Sequence, residues 1–134
     1  MNPVLKVEGL KKSYGTKEAV KGIDFEVQAG EIFALIGPNG AGKTTTLRIV
    51  ATLLTISDGK VTFLGHDLKK EPEKVRERIS YLPEEAGAYR NMKGADYLRF
   101  MANFYAGNGE NADEIVKRGM GIADLGTAIN DKVG

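Results

Sequence analysis

Gly37-Pro38-Asn39-Gly40-Ala41-Gly42-Lys43-Thr44 spells G-x-x-x-x-G-K-[ST], the phosphate-binding P-loop pattern, and its flanks decide the fold. Immediately before it, Ile32-Phe33-Ala34-Leu35-Ile36 is an uninterrupted apolar run, which predicts a strand covered on both faces. After it, Leu47, Val50, Ala51 and Leu54 recur at i, i+3, i+4 and i+7, the spacing of a buried helix over 44–54. The β-branched Thr44, Thr45 and Thr46 are mediocre helix formers, so packing rather than propensity must hold its start. Strand, glycine loop and helix together predict an α/β fold of the P-loop NTPase type.

The residue types suit the chemistry of a polyphosphate. Gly37, Gly40 and Gly42 omit the Cβ atoms that would hold the backbone away from an anion, and they permit positive φ, so successive N–H groups can converge. Unpaired N–H groups and the dipole at the helix N-terminus add to the attraction. Lys43 brings a point charge for the terminal phosphates, and the Thr44 hydroxyl is a ligand for Mg2+. Charge-assisted bonds are worth roughly 1.5–3 kcal/mol each, so three or four exceed the ~8 kcal/mol of micromolar binding before ordering costs. The whole stretch from Gly37 through Pro38, Asn39, Gly40, Ala41, Gly42, Lys43 and Thr44 to Thr45 is the candidate nucleotide-binding loop.

Composition limits the rest. The chain has 134 residues, 42% of them hydrophobic, enough for a real core. Nineteen basic against 18 acidic residues leave a net charge of +1, which gives no electrostatic case for nucleic acid as a partner. Without cysteine there are no disulfides and no thiolate metal sites. No apolar stretch approaches the ~18 residues of a membrane span, and Lys6, Glu8, Lys11 and Lys12 occupy the place of a signal peptide's apolar region. These features predict a soluble, cytoplasmic-type protein.

Around the loop the patterning changes. Ile23, Phe25 and Val27 alternate with Asp24, Glu26 and Gln28, a strand with one face on a core; Val4, Leu5 and Val7 suggest its partner, and Ser13-Tyr14-Gly15-Thr16 the turn between them. Ser57-Asp58-Gly59 turns the chain into a strand at Lys60–Leu64. Pro72 opens a short charged helix through Val75 and Arg78, and Ile79-Ser80-Tyr81-Leu82 returns to the sheet before Pro83. From Ala95 the character is helical, with Tyr97, Met101 and Phe104 on one stripe, and a further helix runs from Ala112 to about Ile122, ended by glycines.

Along its whole length the chain resembles the ATP-binding subunit of ABC transporters. Tyr14 stands where that family carries the aromatic that stacks on adenine, a contact worth ~1–3 kcal/mol by analogy with other base–aromatic stacking. Thr55–Val61 looks like the family's turn into its antiparallel region, and Gly65-His66-Asp67-Leu68 like the strand exit after it; His66, the only histidine, reads as a solvated loop residue. Ile79-Ser80-Tyr81-Leu82-Pro83-Glu84-Glu85 is similar to the stretch ending in the Q-loop, whose glutamine contacts Mg2+ and the attacking water. Here the matching residue is Glu84, or Glu85 if the register slips by one. A carboxylate still holds Mg2+ through oxygen, but an ionised one only accepts hydrogen bonds, so the amide's donation is lost. Tyr89-Arg90-Asn91-Met92-Lys93 falls where the family meets its transmembrane partner.

The resemblance implies ATP and Mg2+ as cofactors, Lys43 and Glu84 in catalysis, and Thr44 and Glu84 on the metal. It implies a permease subunit or domain and a second nucleotide-binding domain as partners, on the cytoplasmic face of the membrane. It divides the chain into a nucleotide-binding core with an antiparallel β region, 1–92, and the beginning of an α-helical subdomain, 93–134. The Ser-Gly-Gly signature, the strand ending in Asp-Glu and the switch histidine have no counterpart: there is no Gly-Gly dipeptide, and the serines are Ser13, Ser57 and Ser80. The sequence therefore reads as the N-terminal part of a longer ATPase, one that binds nucleotide better than it turns it over and self-associates through the exposed Ile32–Ile36 edge. The spacing around Leu53-Leu54-Thr55 looks closest to exporter-type members. A P-loop switch or a non-transport ABC protein is the alternative, although the Asn-Lys-x-Asp element of GTPases is missing.

Overall fold

A computed structural model describes residues 2–84, 89, 91–106 and 111–132. Glu85 and Arg90 lie outside the described residues. Packing divides the chain into two compact units, Met1–Tyr81 and Leu82–Gly134.

The first unit is built on one antiparallel sheet. β1 (Leu5–Tyr14) and β2 (Lys17–Val27) form a hairpin, and β3 (Asp58–Phe63) and β4 (His66–Asp67) complete the order β2-β1-β3-β4. The two-residue turn at Gly15 and Thr16, with Gly15 at φ 59°, closes the hairpin as the sequence suggests. Leu5 pairs with Val27 on one side and Phe63 on the other, and Val7 with Phe25 and Val61, so β1 is the central strand. Its two most buried residues, Val7 and Leu10, are three apart rather than two. A bulge at Gly9 shifts the phase, and the Asp24 carboxylate accepts from the freed Gly9 N–H at 2.7 Å.

α1 (Lys43–Val50) and the short α2 (Pro72–Arg76) cover the sheet. Val7, Leu10, Val20, Ile49, Val61, Leu68 and Val75 make the core, with Leu54 and Ile79 packed at its margin. α1 is shorter than expected, and its buried face keeps Val50 but not Leu47. Thr46 and Ile49 are its buried residues and Leu47 is half exposed, because the helix stops at Val50 and Thr52 turns left-handed at φ 62°. The predicted strand at Ile32–Ile36 is not one: Ile32 is 99% and Ile36 91% exposed. A strand of this kind exists only through its ladder, and none of the described strands pairs with it. The segment is fastened instead by Phe33, which stacks on Phe25 with ring centroids 4.9 Å apart. For the same reason Ile79–Leu82 is irregular and no strand, with Leu82 exposed.

The second unit holds α3 (Gly94–Tyr105), α4 (Ala112–Ala123) and a 3-10 turn at Gly126–Asn130. Asn111 caps α4 by accepting from Asp113 N–H at 2.9 Å, and Arg99 on α3 reaches Asp113 at 2.7 Å. The predicted stripe of α3 is partly reoriented: Tyr97 and Met101 are half-buried but Phe104 is exposed, and Ala102 is the buried residue. Gly119 and Gly121 lie inside α4 instead of ending it, and Asp124, at φ 47°, makes the left-handed cap. Gly119 serves packing, since a Cβ there would stand 3.3 Å from Leu98 Cδ2.

Candidate functional site

The P-loop is a close-fitted bridge between Gly37 and α1. Gly42, at φ 90° and ψ 10°, caps the helix, and Ala41 N–H donates to the Pro38 carbonyl at 3.1 Å. The Gly42 carbonyl accepts twice from Thr46, at 2.9 Å from the amide and 2.8 Å from the hydroxyl, so this buried threonine is satisfied within its own turn. A Cβ on Gly42 would lie 2.4 Å from the Ala19 carbonyl oxygen of β2, so only glycine lets loop and strand approach this closely. Gly40, at φ 84°, faces open space, and a ligand can reach its backbone. The Lys43 ammonium donates to the Gly37 carbonyl, folding the side chain back over the loop.

A cavity of 290 Å³ opens beside this loop, lined by Asn39, Gly40, Gly42, Lys43, Thr44 and Thr45 on one side and by Tyr14, Lys17, Glu18 and Ala19 on the other. Seven of the sequence-derived site residues thus meet on one wall-to-wall space, Tyr14 among them. Gly37, Pro38 and Ala41 shape the loop without lining the cavity. Tyr14 is half exposed, with Lys12 Nζ 5.2 Å from its ring centroid. Glu84 belongs to the second unit, where it is exposed. Lys17, Glu18 and Ala19 escaped the sequence reading because their exposure to the cavity depends on strand register.

The donor set suits a Mg2+–polyphosphate. The first N–H groups of α1 have no preceding turn to bond, Lys43 adds a cation, and Thr44 offers one hydroxyl oxygen. Mg2+ asks for little more from a protein, since it keeps waters and substrate oxygens. Among the described residues no cluster of three or more His, Asp or Glu can hold a metal by itself. The perturbed titrations lie elsewhere. The Lys74 ammonium, then His66, hydrogen-bond the Glu71 carboxylate at 2.6 and 3.1 Å and hold its pKa below the ordinary range. His66, expected to be a solvated loop residue, is thus a half-buried partner of Glu71.

Residues 20–132 match the family model described as ABC transporter. This chain belongs to the ABC transporter family. It is 39% identical over 98% of its length to an uncharacterised ABC transporter ATP-binding protein of Bacillus subtilis, and spans 42% of that protein. It is 38% identical over 90% of its length to the daunorubicin/doxorubicin resistance ATP-binding protein of Streptomyces peucetius, spanning 37% of it. An ATP-binding cassette solved as a dimer with ADP and Pi superposes with a TM-score of 0.81 over 96% of this chain and 61% of that one. At 22% identity that likeness concerns the fold, which is that of an ABC cassette's P-loop NTPase core, here a part of it. Among the described residues no helix of this ABC transporter chain is long and apolar enough to cross a membrane.

Proposed function

We propose that this ABC transporter chain binds MgATP in the cavity between Tyr14 and the P-loop, as part of an ATPase that couples hydrolysis to moving a solute across a membrane. The observation that carries the reading is the convergence of Tyr14, Gly40, Lys43 and Thr44 on one cavity of ATP-compatible chemistry. Tyr14 stacks on adenine, Gly40, Gly42 and the first residues of α1 present backbone N–H groups to the phosphates, and Lys43 exchanges its Gly37 carbonyl for the terminal phosphates. Thr44 would hold Mg2+ through its hydroxyl, and the ion would supply neutralisation of phosphate charge. Glu84 stands at the Q-loop place of the sequence, where its carboxylate would be an oxygen ligand for Mg2+ and have a catalytic role in the whole enzyme.

The partners follow from the family: a permease, a second nucleotide-binding domain, and attachment through the permease to the cytoplasmic face of the membrane. Residues 1–92 serve as the nucleotide-binding core and 93–134 as the start of the helical subdomain. The drug-resistance name of the Streptomyces relative favours export over import. Calorimetric titration with MgATP tests the reading: micromolar binding is expected, and Lys43→Ala should weaken it about 30- to 100-fold by removing one charge-assisted contact. No heat with a folded chain, or a loss below threefold in the variant, refutes it.

A further inference from the structure

Tyr14 pairs with Lys17 and Ser13 with Glu18, yet the next pair is Lys12 with Val20. Ala19 is the extra residue of a β-bulge in β2. In a regular strand residues 17, 18 and 19 would alternate between faces. Here Lys17, Glu18 and Ala19 all line the cavity that holds Tyr14 and Lys43. Their order along β2 is informative: Lys17 stands across from Tyr14, Ala19 lies against Gly42 of the P-loop, and Glu18 falls between them. Glu18 thus borders the same cavity as Tyr14 and Lys43. Among the described residues, the Glu18 side chain is exposed and has neither a hydrogen-bond nor an ion-pair partner.

We propose that Glu18 is the ribose-reading residue of this site, its carboxylate accepting hydrogen bonds from the sugar hydroxyls of the nucleotide. The inference rests on the MgATP reading above and deepens it. An ionised carboxylate only accepts, and of the three parts of a nucleoside triphosphate the sugar alone offers adjacent hydroxyl donors. The phosphates repel it, and the base lies at the Tyr14 end. The bulge at Ala19 accompanies three successive residues of β2, Glu18 among them, at the border of one cavity, a use to which bulges beside active sites are put.

The test is titration of the full chain with the magnesium complexes of ATP, 2′-deoxy-ATP, 3′-deoxy-ATP and inorganic triphosphate. The native chain should prefer ATP over at least one deoxy analogue by about three- to tenfold, the value of one partly solvated hydrogen bond. Glu18→Ala should bring that ratio to about one by loosening ATP more than the deoxy analogue it discriminates against, with triphosphate not weakened; Glu18→Gln, which keeps a carbonyl acceptor and the same shape, should fall between. Tyr14→Ala should weaken all three nucleotides by one common factor and preserve the ratio, and a merely structural role for Glu18 would make Glu18→Ala do the same. Discrimination that survives Glu18→Ala and Glu18→Gln, a native chain that does not discriminate, or a variant that binds ATP more tightly overturns the ribose role while leaving the site intact. Failure of the native chain to bind MgATP at all overturns the underlying reading, and the proposal with it.

Discussion

Replacing Gly42 with alanine puts a methyl carbon 2.4 Å from the Ala19 carbonyl oxygen and 3.2 Å from Val20 Cγ2, in a backbone held at φ 90°. Real Cβ contacts essentially never fall below 3.0 Å, and both partners here belong to β2 rather than to a pliable surface chain. The loop must therefore back away from the bulge or the strand must bend. Left-handed strain costs about 1–2 kcal/mol and forced overpacking about 1–3 kcal/mol, which gives a loss of about 2–5 kcal/mol from a domain whose whole stability is about 5–15 kcal/mol. Gly40→Ala is the matched control, since φ is 84° there but nothing lies within 4 Å of the added carbon. It should lose only the strain, about 1–2 kcal/mol. Urea unfolding followed by far-ultraviolet circular dichroism measures both, and the difference isolates the steric contact. Equal midpoints and equal slopes for the two variants would refute the claim that Gly42 is held against β2.

Other expectations are open to the same kind of measurement. Tyr14→Ala should weaken MgATP about 5- to 100-fold while leaving inorganic triphosphate nearly unchanged, because stacking acts on the base alone; equal losses for both ligands in a filter-binding assay would remove that role. Lys74 and His66 lower the Glu71 pKa, so their contribution to stability is present above the ordinary carboxylate range and fades as pH falls through the lower folded value. Glu71→Gln should accordingly flatten the acid limb of the melting-temperature profile and leave the neutral plateau nearly unchanged, since the groups are solvent-exposed.

What the sequence made legible is what neighbouring residues decide among themselves. Ile23, Phe25 and Val27 alternate with charged residues, and a glycine turn precedes them, so the β1–β2 hairpin is written within about twenty residues. The P-loop is local for the same reason: Gly40 and Gly42 are required by φ, at 84° and 90°. The failures share a different cause. Apolar character at Ile32–Ile36 marks a capacity for burial, but pairing is supplied by strands distant in the chain, and none of the described strands supplies it. On α1 the expected Val50 and Leu54 do pack at the core margin but Leu47 is half exposed, because Thr46 hides its hydroxyl on the Gly42 carbonyl and so takes a core position with Ile49. Glu18 was invisible for a subtler reason. Its place at the cavity goes with the bulge where Ala19 drops out of register with Lys12 and Ser13, and no residue type in that stretch announces a bulge.

The unpaired segment before the P-loop carries its own consequence for solution behaviour. Ile32 and Ile36 are nearly fully exposed, at 99% and 91%, while Phe33 is committed to Phe25. Burying a large aliphatic side chain is worth about 1.5–3 kcal/mol, so a symmetric contact using both isoleucines from two copies gains about 6–12 kcal/mol. Association itself costs about 4–15 kcal/mol, which leaves side-chain burial alone near balance. Strand pairing between the two segments tips it, because each also has a row of backbone groups with no ladder partner among the described strands. Concentration-dependent dimerisation is therefore expected, with a Kd between about 10 µM and 1 mM for a net gain of about 4–7 kcal/mol. Ile36→Lys should abolish it without disturbing the core, since Ile36 touches neither the Phe25–Phe33 stack nor the buried cluster. Sedimentation velocity decides the matter: a monomer at every accessible concentration, or a dimer indifferent to Ile36→Lys, would show that Ile32–Ile36 is not the surface through which copies meet.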